Sequence, residues 1–240
     1  MCSSLSSIDQ RYVSRCHGEI RGTDHADQII AFGGHLDSWE LGQGAHDDGT
    51  GVMQSIEVLR LFKALQIKPK HTLRAVAFID EEMEQRGAKR YTEVAQQMIN
   101  ARNAILDQYK GDSLLKGSKN RQPAEFIGNH IAAIEADRGG FTPLGFSIDA
   151  SDVQLKKIQS WKNLLLPYGL YFLEKGGSGV DVSGLKKFGV PVIGLVTDSQ
   201  RYFDYHHAAS DTFDKVNPRE FQLGSASIAV LVWLIDIYGL

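Results

Sequence analysis

"GGHLDSWELGQGAHDDGTG", residues 33–51, follows the apolar run "QIIAF" and sets two histidines and four acidic residues among six glycines. A β-branched apolar run that stops abruptly at a glycine-rich polar loop reads as the end of a buried strand. Gathering that many carboxylates costs several kcal/mol per buried ion unless something positive lies between them. The stretch therefore reads as strand, ligand loop and helix start, and it asks for a cation.

Working outward, short apolar β-branched runs alternate with longer helical patterns along the chain. Strands are predicted at 12–20, 28–34, 71–79, 130–136, 170–174 and 190–196. Helices are predicted at 49–66, 86–104, 151–165, 181–188 and 218–238. The last of these has Pro218 at its start, Gly239 at its end and a continuous apolar stretch at 228–235, which suits packing against a sheet. This alternation predicts an α/β fold: one three-layer domain over residues 1–240, with a mixed, mostly parallel sheet sandwiched by helices. At 240 residues and 42% apolar, the chain is long enough for one sizeable core and short for two. Residues 1–10 read as a flexible N-terminal segment. Residues 107–129 read as a polar insertion, placed by chain topology at the end of the sheet away from the acidic loops.

The chemistry-bearing residues fall at the C-terminal ends of the predicted strands, the edge where open α/β sheets bind ligands. His35 and Asp37, then Asp47 and Asp48, follow the second strand. Asp80, Glu81 and Glu82 follow the third, Asp137 the fourth, and His206 and His207 lie beyond the last. Each has an ordinary reading alone: a packed histidine, a capping aspartate at 37, an acidic helix start in "DEEMEQ". Five clusters converging on one edge are explained together only by a cation. Imidazole with carboxylate and no thiolate selects zinc, cobalt or manganese over calcium. Two histidines and three or more carboxylates exceed the three protein ligands of one catalytic zinc, whereas two ions sharing a carboxylate use them all. In "HLD", Asp37 is expected to accept from the second ring nitrogen of His35 and fix its tautomer. Glu81 and Glu82 leave their strand in different directions, so one can bind metal while the other faces a water.

The stretches "GGHLDSWELGQGAHDDGTG", "FIDEEMEQRGAKRY", "HIAAIEADRGGFTPLGF", "GGSGVDVSGL" and "DSQRYFDYHHAASDTFDKVNP" resemble, in order, the motifs of the co-catalytic zinc aminopeptidase family. That family includes bacterial leucyl aminopeptidases and plasma glutamate carboxypeptidase-like enzymes, and the resemblance runs from about residue 12 to the C-terminus. It implies two Zn2+ per chain on a zinc-exopeptidase fold. Asp47 would bridge the ions, His35 and Asp137 would complete one, and Glu82 and His207 the other. Glu81 would be the general base, with Asp37 beside it. His207 is preferred to His206 because the family histidine lies four residues before the aspartate of "DT", here Asp211. The resemblance also implies a cis peptide at Asp47–Asp48. Ser178, Gly179, Tyr202 and Tyr205 would contact substrate. The implied activity is hydrolysis of a terminal peptide bond, foremost as an aminopeptidase. Dipeptidase or carboxypeptidase action and a metal-poor, non-catalytic binding homologue are the alternatives.

Asp80 stands where the family often has asparagine, and Arg138 stands where small residues are usual. Arg138 is expected to pair with Asp80, with a substrate carboxylate as its alternative partner. The expected partner is a peptide. A net charge of −3 gives no footprint for nucleic acid or an anionic membrane, and a homo-oligomer contact would lie away from the metal edge. Cys2 and Cys16 are too few for a disulfide framework. The N-terminus has no signal-peptide pattern, while the resemblance suggests a secreted or periplasmic setting.

Overall fold

The structure is a computed structural model that describes residues 15–110 and 129–240. Seven strands form one sheet: β1 (Arg15–Ile20), β2 (His25–His35), β3 (His71–Phe78), β4 (Asn129–Glu135), β5 (Pro143–Asp149), β6 (Phe172–Lys175) and β7 (Val192–Thr197). Their order is β1-β3-β2-β4-β7-β5-β6. β3, β2, β4 and β7 are parallel neighbours, β1 runs antiparallel to β3, and β5 runs antiparallel to β7 with β6 parallel to it. From β2 the chain moves to one side to make β3, then crosses back to make β4 on the other side. The C-terminal ends of β2 and β4 therefore flank a switch point, where an open sheet parts to form a ligand crevice.

The helices are α1 (Thr50–Ala64), α2 (Arg86–Lys110), α3 (Asp152–Ser160), α4 (Lys162–Leu165) and α5 (Pro218–Tyr238). The period-two alternation of β2 sends its side chains to both faces. Ile30 and Phe32 pack with Val58 and Phe62 of α1 and with Ile228, Leu231, Val232 and Ile235 of α5. Ile29 and Ala31 pack on the other face with Tyr91 and Ala95 of α2 and with Val182 and Leu185. Three layers result, as the sequence pattern predicts.

α5 starts where Asn217 caps it, accepting from the N–H groups of Arg219 and Glu220 at 2.9 and 3.3 Å, a motif worth about 1 kcal/mol. By length and hydropathy α5 could cross a membrane, but its buried residues fill the core against the sheet. Its far end is tied down by Asp236, which accepts from the backbone N–H groups of Lys70 and His71 and lies 2.9 Å from His71 Nδ1.

Four local readings are corrected. β5 was not foreseen: Pro143 and Gly145 make "PLGFSID" look like a loop, yet it pairs with both β6 and β7. The helix expected at 151–165 breaks at Trp161, whose ψ of 4° leaves the α region. The helix expected at 181–188 is a 3₁₀ turn at Ser183–Phe188. α2 continues to Lys110, into the segment read as an insertion. Residues 111–128 of that segment, the N-terminal segment 1–10 and residues 12–14 of the first predicted strand lie outside the described residues.

Candidate metal centre

The centre begins where β2 ends. Asp48 is buried and fastens the loop to the strand: its Oδ2 accepts from His35 N at 3.0 Å and its Oδ1 from Gly51 N at 2.9 Å. The approach is too close for side chains. A Cβ on Gly34 would lie 1.9 Å from Asp48 Oδ2, and one on Gly51 would lie 1.7 Å from the carbonyl oxygen of Ala136. The Asp47–Asp48 peptide is cis. From the other side, buried Asp211 accepts from His46 N at 2.7 Å and Asp47 N at 3.1 Å. The backbone that carries Asp47 is thus held by carboxylates from both directions.

Around Asp47 the side chains converge. His35 Nε2 lies 3.2 Å from Asp47 Oδ1, 3.5 Å from Asp137 Oδ1 and 3.9 Å from Glu81 Oε2. His207 Nε2 lies 3.0 Å from Glu82 Oε2 and 3.3 Å from Asp47 Oδ2. Asp47 therefore turns one oxygen to each histidine; Asp137 and Glu81 lie by His35 and Glu82 by His207, while Glu81 and Glu82 also close on His35 as a three-residue group. His206 stacks on His207 with ring centres 3.7 Å apart, and its Nε2 is 3.7 Å from Asp47 Oδ2. Two three-residue groups that could hold a cation share Asp47: one with His35 and Asp137, the other with His206 and His207. His207 sits at a φ of 57°, a strained conformation for a non-glycine residue and one that recurs at functional sites.

The electrostatics report the same excess of negative charge. Burial alone would lower the His35 pKa, but the neighbouring Asp137 and Asp47 carboxylates and the charge of Asp48 raise it well above its ordinary value. Glu81 is pushed up to about 7 by burial, with Asp137, Glu82 and Asp47 adding to the rise. Glu82 is also pushed up to about 7, by burial and by Asp47. Burial and the nearby acids raise the Tyr202 hydroxyl too. Asp47 Oδ2, Glu82 Oε1 and Asp137 Oδ1 are buried without a hydrogen-bond partner. Orphaned carboxylate oxygens on either side of a shared aspartate, with two imidazoles, are the donor set of divalent-cation sites, and the residues fit such ions.

Two expectations change, the partners of Asp37 and of Asp80. The Asp37 carboxylate does not orient His35: the nearest oxygen is 4.0 Å from Nδ1, and the backbone carbonyl of Asp37 takes that nitrogen at 2.7 Å. The carboxylate instead accepts from the backbone N–H groups of Glu81 and Glu82. Asp80 does not pair with Arg138; Arg86 grips it at 2.7 and 2.9 Å and holds its pKa down to about 2. Of the four residues expected to contact substrate, Ser178 is buried and turns its hydroxyl to the carbonyl of Gly179. Gly179 is exposed but rests on the Glu135 carboxylate, 2.0 Å from where its Cβ would be. Tyr205 is half-buried and stacks on His46 at 5.0 Å. Tyr202 alone of the four is coupled to the acidic cluster.

Sequence reasoning missed Trp39, whose ring lies 4.8 Å from that of His207. It also missed the clamp made by Asp211 and the buried acid pair Glu135 and Asp181. The clamp and the Trp39 contact join residues more than 160 positions apart, so no local spacing announces them.

The sequence pattern of Peptidase family M28 matches residues 16–232. The chain belongs to this family. Over 217 residues it is 31% identical to Carboxypeptidase Q of Bos taurus, covering 90% of this chain and 40% of that protein. A Peptidase M28 precursor from Shewanella amazonensis SB2B has a solved structure with a TM-score of 0.74 and 30% identity, over 92% of this chain and 44% of that one. BSAP, a zinc aminopeptidase from Bacillus subtilis, shares the fold at a TM-score of 0.61 and 15% identity, over 91% of this chain and 49% of that one. The chain thus spans less than half the length of each of these proteins.

Proposed function

We propose that this chain carries the catalytic centre of a zinc-dependent exopeptidase with two ions per chain. The observation that supports it most is Asp47 standing between His35 and His207, with Asp137 and Glu82 completing the two sides. His35, Asp47 and Asp137 would hold one ion, and Asp47, Glu82 and His207 the other. Bound there, zinc would supply a Lewis acid for the scissile carbonyl and a more acidic water.

The chain's own residues do the rest. Glu81 lies beside the first group, its Oε2 3.9 Å from His35 Nε2, and is placed to take a proton from water and return it to the leaving amine. Asp37 holds the backbone of Glu81 and Glu82, so base and ligand keep their separation. Tyr202, half-buried and close to the acids, would bond to a substrate oxygen near the cleaved bond. The surplus of carboxylates favours a substrate that brings a cationic α-ammonium, which is the aminopeptidase reading.

Carboxypeptidase action is the second reading. The identity to Carboxypeptidase Q favours it, as does Arg138, which is exposed beside Asp137 while Asp80 is taken by Arg86. Chelation should abolish hydrolysis of an aminoacyl anilide, and zinc should restore it. N-acetylation of a short peptide should block cleavage while C-terminal amidation is tolerated. The reverse pattern would establish the carboxypeptidase reading, and activity insensitive to chelator would overturn both.

A further inference from the structure

Trp39 is out of place as a packing residue. It leaves 44% of its surface exposed on the loop after β2, whereas a buried aromatic earns its stability by removing area from water. Its contacts are instead specific. The indole stands near the Glu82 carboxylate and favours its charged form. The ring lies 4.8 Å from that of His207, tilted at 44°. His207 is thereby flanked by two rings, Trp39 on one contact and His206 stacked at 3.7 Å on another. Glu82 and His207 arrive on separate loops, after β3 and after β7, and meet at 3.0 Å. Trp39 is a side chain that touches both, and together with Asp47 and Asp211 it lines the small cleft beside His207.

We propose that Trp39 is a positioning residue for one of the two metal sites, the one formed by Glu82 and His207, and that it sets the zinc affinity of that site without touching the ion. The inference rests on the two-zinc reading above. The ring contact limits the swing of an imidazole carried on a loop with a strained backbone, and an indole N–H beside a carboxylate favours the rotamers that keep it charged and turned to the ion. His35, on the other side, is anchored separately, through Asp48 and the carbonyl of Asp37.

The test is stepwise zinc affinity, measured on the intact chain by competition with a chromophoric chelator. Trp39→Phe keeps a ring and removes the N–H donor. It should weaken one of the two zinc equivalents by roughly 10–100-fold and leave the other unchanged, the range typical for outer partners of metal ligands. Trp233→Phe, on α5 and packed on Tyr238, controls for loss of a tryptophan elsewhere and should change neither. Both affinities unchanged in Trp39→Phe, or both weakened alike, would overturn the proposal. A second readout needs no variant to fold. In the 15N-labelled wild-type chain, one indole N–H resonance should shift with only one of the two zinc equivalents, and indole resonances blind to zinc would also overturn it. A wild-type chain that takes up no zinc contradicts the metal reading itself, which is visible before any variant is compared.

Discussion

The Asp37 carboxylate accepts from the backbone N–H of Glu81 at 3.1 Å and, through its other oxygen, from that of Glu82 at 3.2 Å. A residue on the loop after β2 thus fixes two consecutive side chains on the loop after β3, while its carbonyl holds the His35 ring. One residue, through its side chain and its carbonyl, couples the would-be base, a would-be ligand of one ion and a would-be ligand of the other.

Asp37→Ala should therefore lower kcat/KM by roughly 10–100-fold and weaken zinc uptake, because two N–H groups lose their acceptor and the Glu81–Glu82 turn loosens. Asp37→Asn, which keeps one acceptor oxygen, should fall between that variant and wild type. Steady-state kinetics and zinc titration on the same preparations check the order. An alanine variant as active as wild type would show that the turn holds its shape unaided.

Glu81→Gln and Glu82→Gln separate the roles within the pair. Removing the Glu81 carboxylate should abolish turnover, a loss of about 100-fold or more, with zinc content and melting temperature kept. Removing that of Glu82 should reduce zinc affinity first and activity as a consequence. Metal analysis beside single-turnover rates distinguishes them, and swapped phenotypes would reverse the assignment.

His207→Ala should lose zinc, since its Nε2 lies 3.0 Å from Glu82 and 3.3 Å from Asp47. His206→Ala removes a ring stacked on His207 and an imidazole at 3.7 Å from Asp47, so it should lose stability and only part of the zinc affinity. Equal zinc loss in both variants would make His206 a ligand of the same rank.

Much of this was legible in the sequence, and the boundary has a physical cause. Strands such as 28–34 and 190–196 announce themselves because β-branched residues pack on a half- or fully buried pleated surface. The ligand-type residues were legible because each stands where such a strand ends. β5 was not, since Pro143 and Gly145 signal a turn and only the pairing with β7 makes them a strand. The partner of Asp37 was misread because a neighbour two residues away in sequence, His35, was a more obvious acceptor's target than backbone N–H groups 44 and 45 residues away. Trp39 and Asp211 carry no local signal at all, because their partners are assembled only by the fold.

Asp181, which also feels the charges of His35, Glu81 and Asp137, provides a pH test. Burial, and then the charge of Glu135 beside it, raises its pKa well above the ordinary carboxylate range, and neither of its oxygens has a hydrogen-bond partner. The folded chain therefore holds this proton at pH values where the unfolded chain has released it. Stability from this group is full below the ordinary carboxylate range and is lost as pH rises towards the folded pKa. Thermal midpoints measured from about pH 5 to pH 9 at fixed zinc should fall less steeply in Asp181→Asn, whose amide cannot ionise. Identical slopes in the two proteins would place the titrating group elsewhere.

The most direct measurement is the zinc content of the chain, by elemental analysis after equilibration with buffered zinc and removal of the unbound ion. The arrangement of His35 and Asp137 on one oxygen of Asp47, and of His207 and Glu82 on the other, is expected to give about two equivalents per chain. Saturation at one equivalent, or none, would contradict a centre built around a shared Asp47.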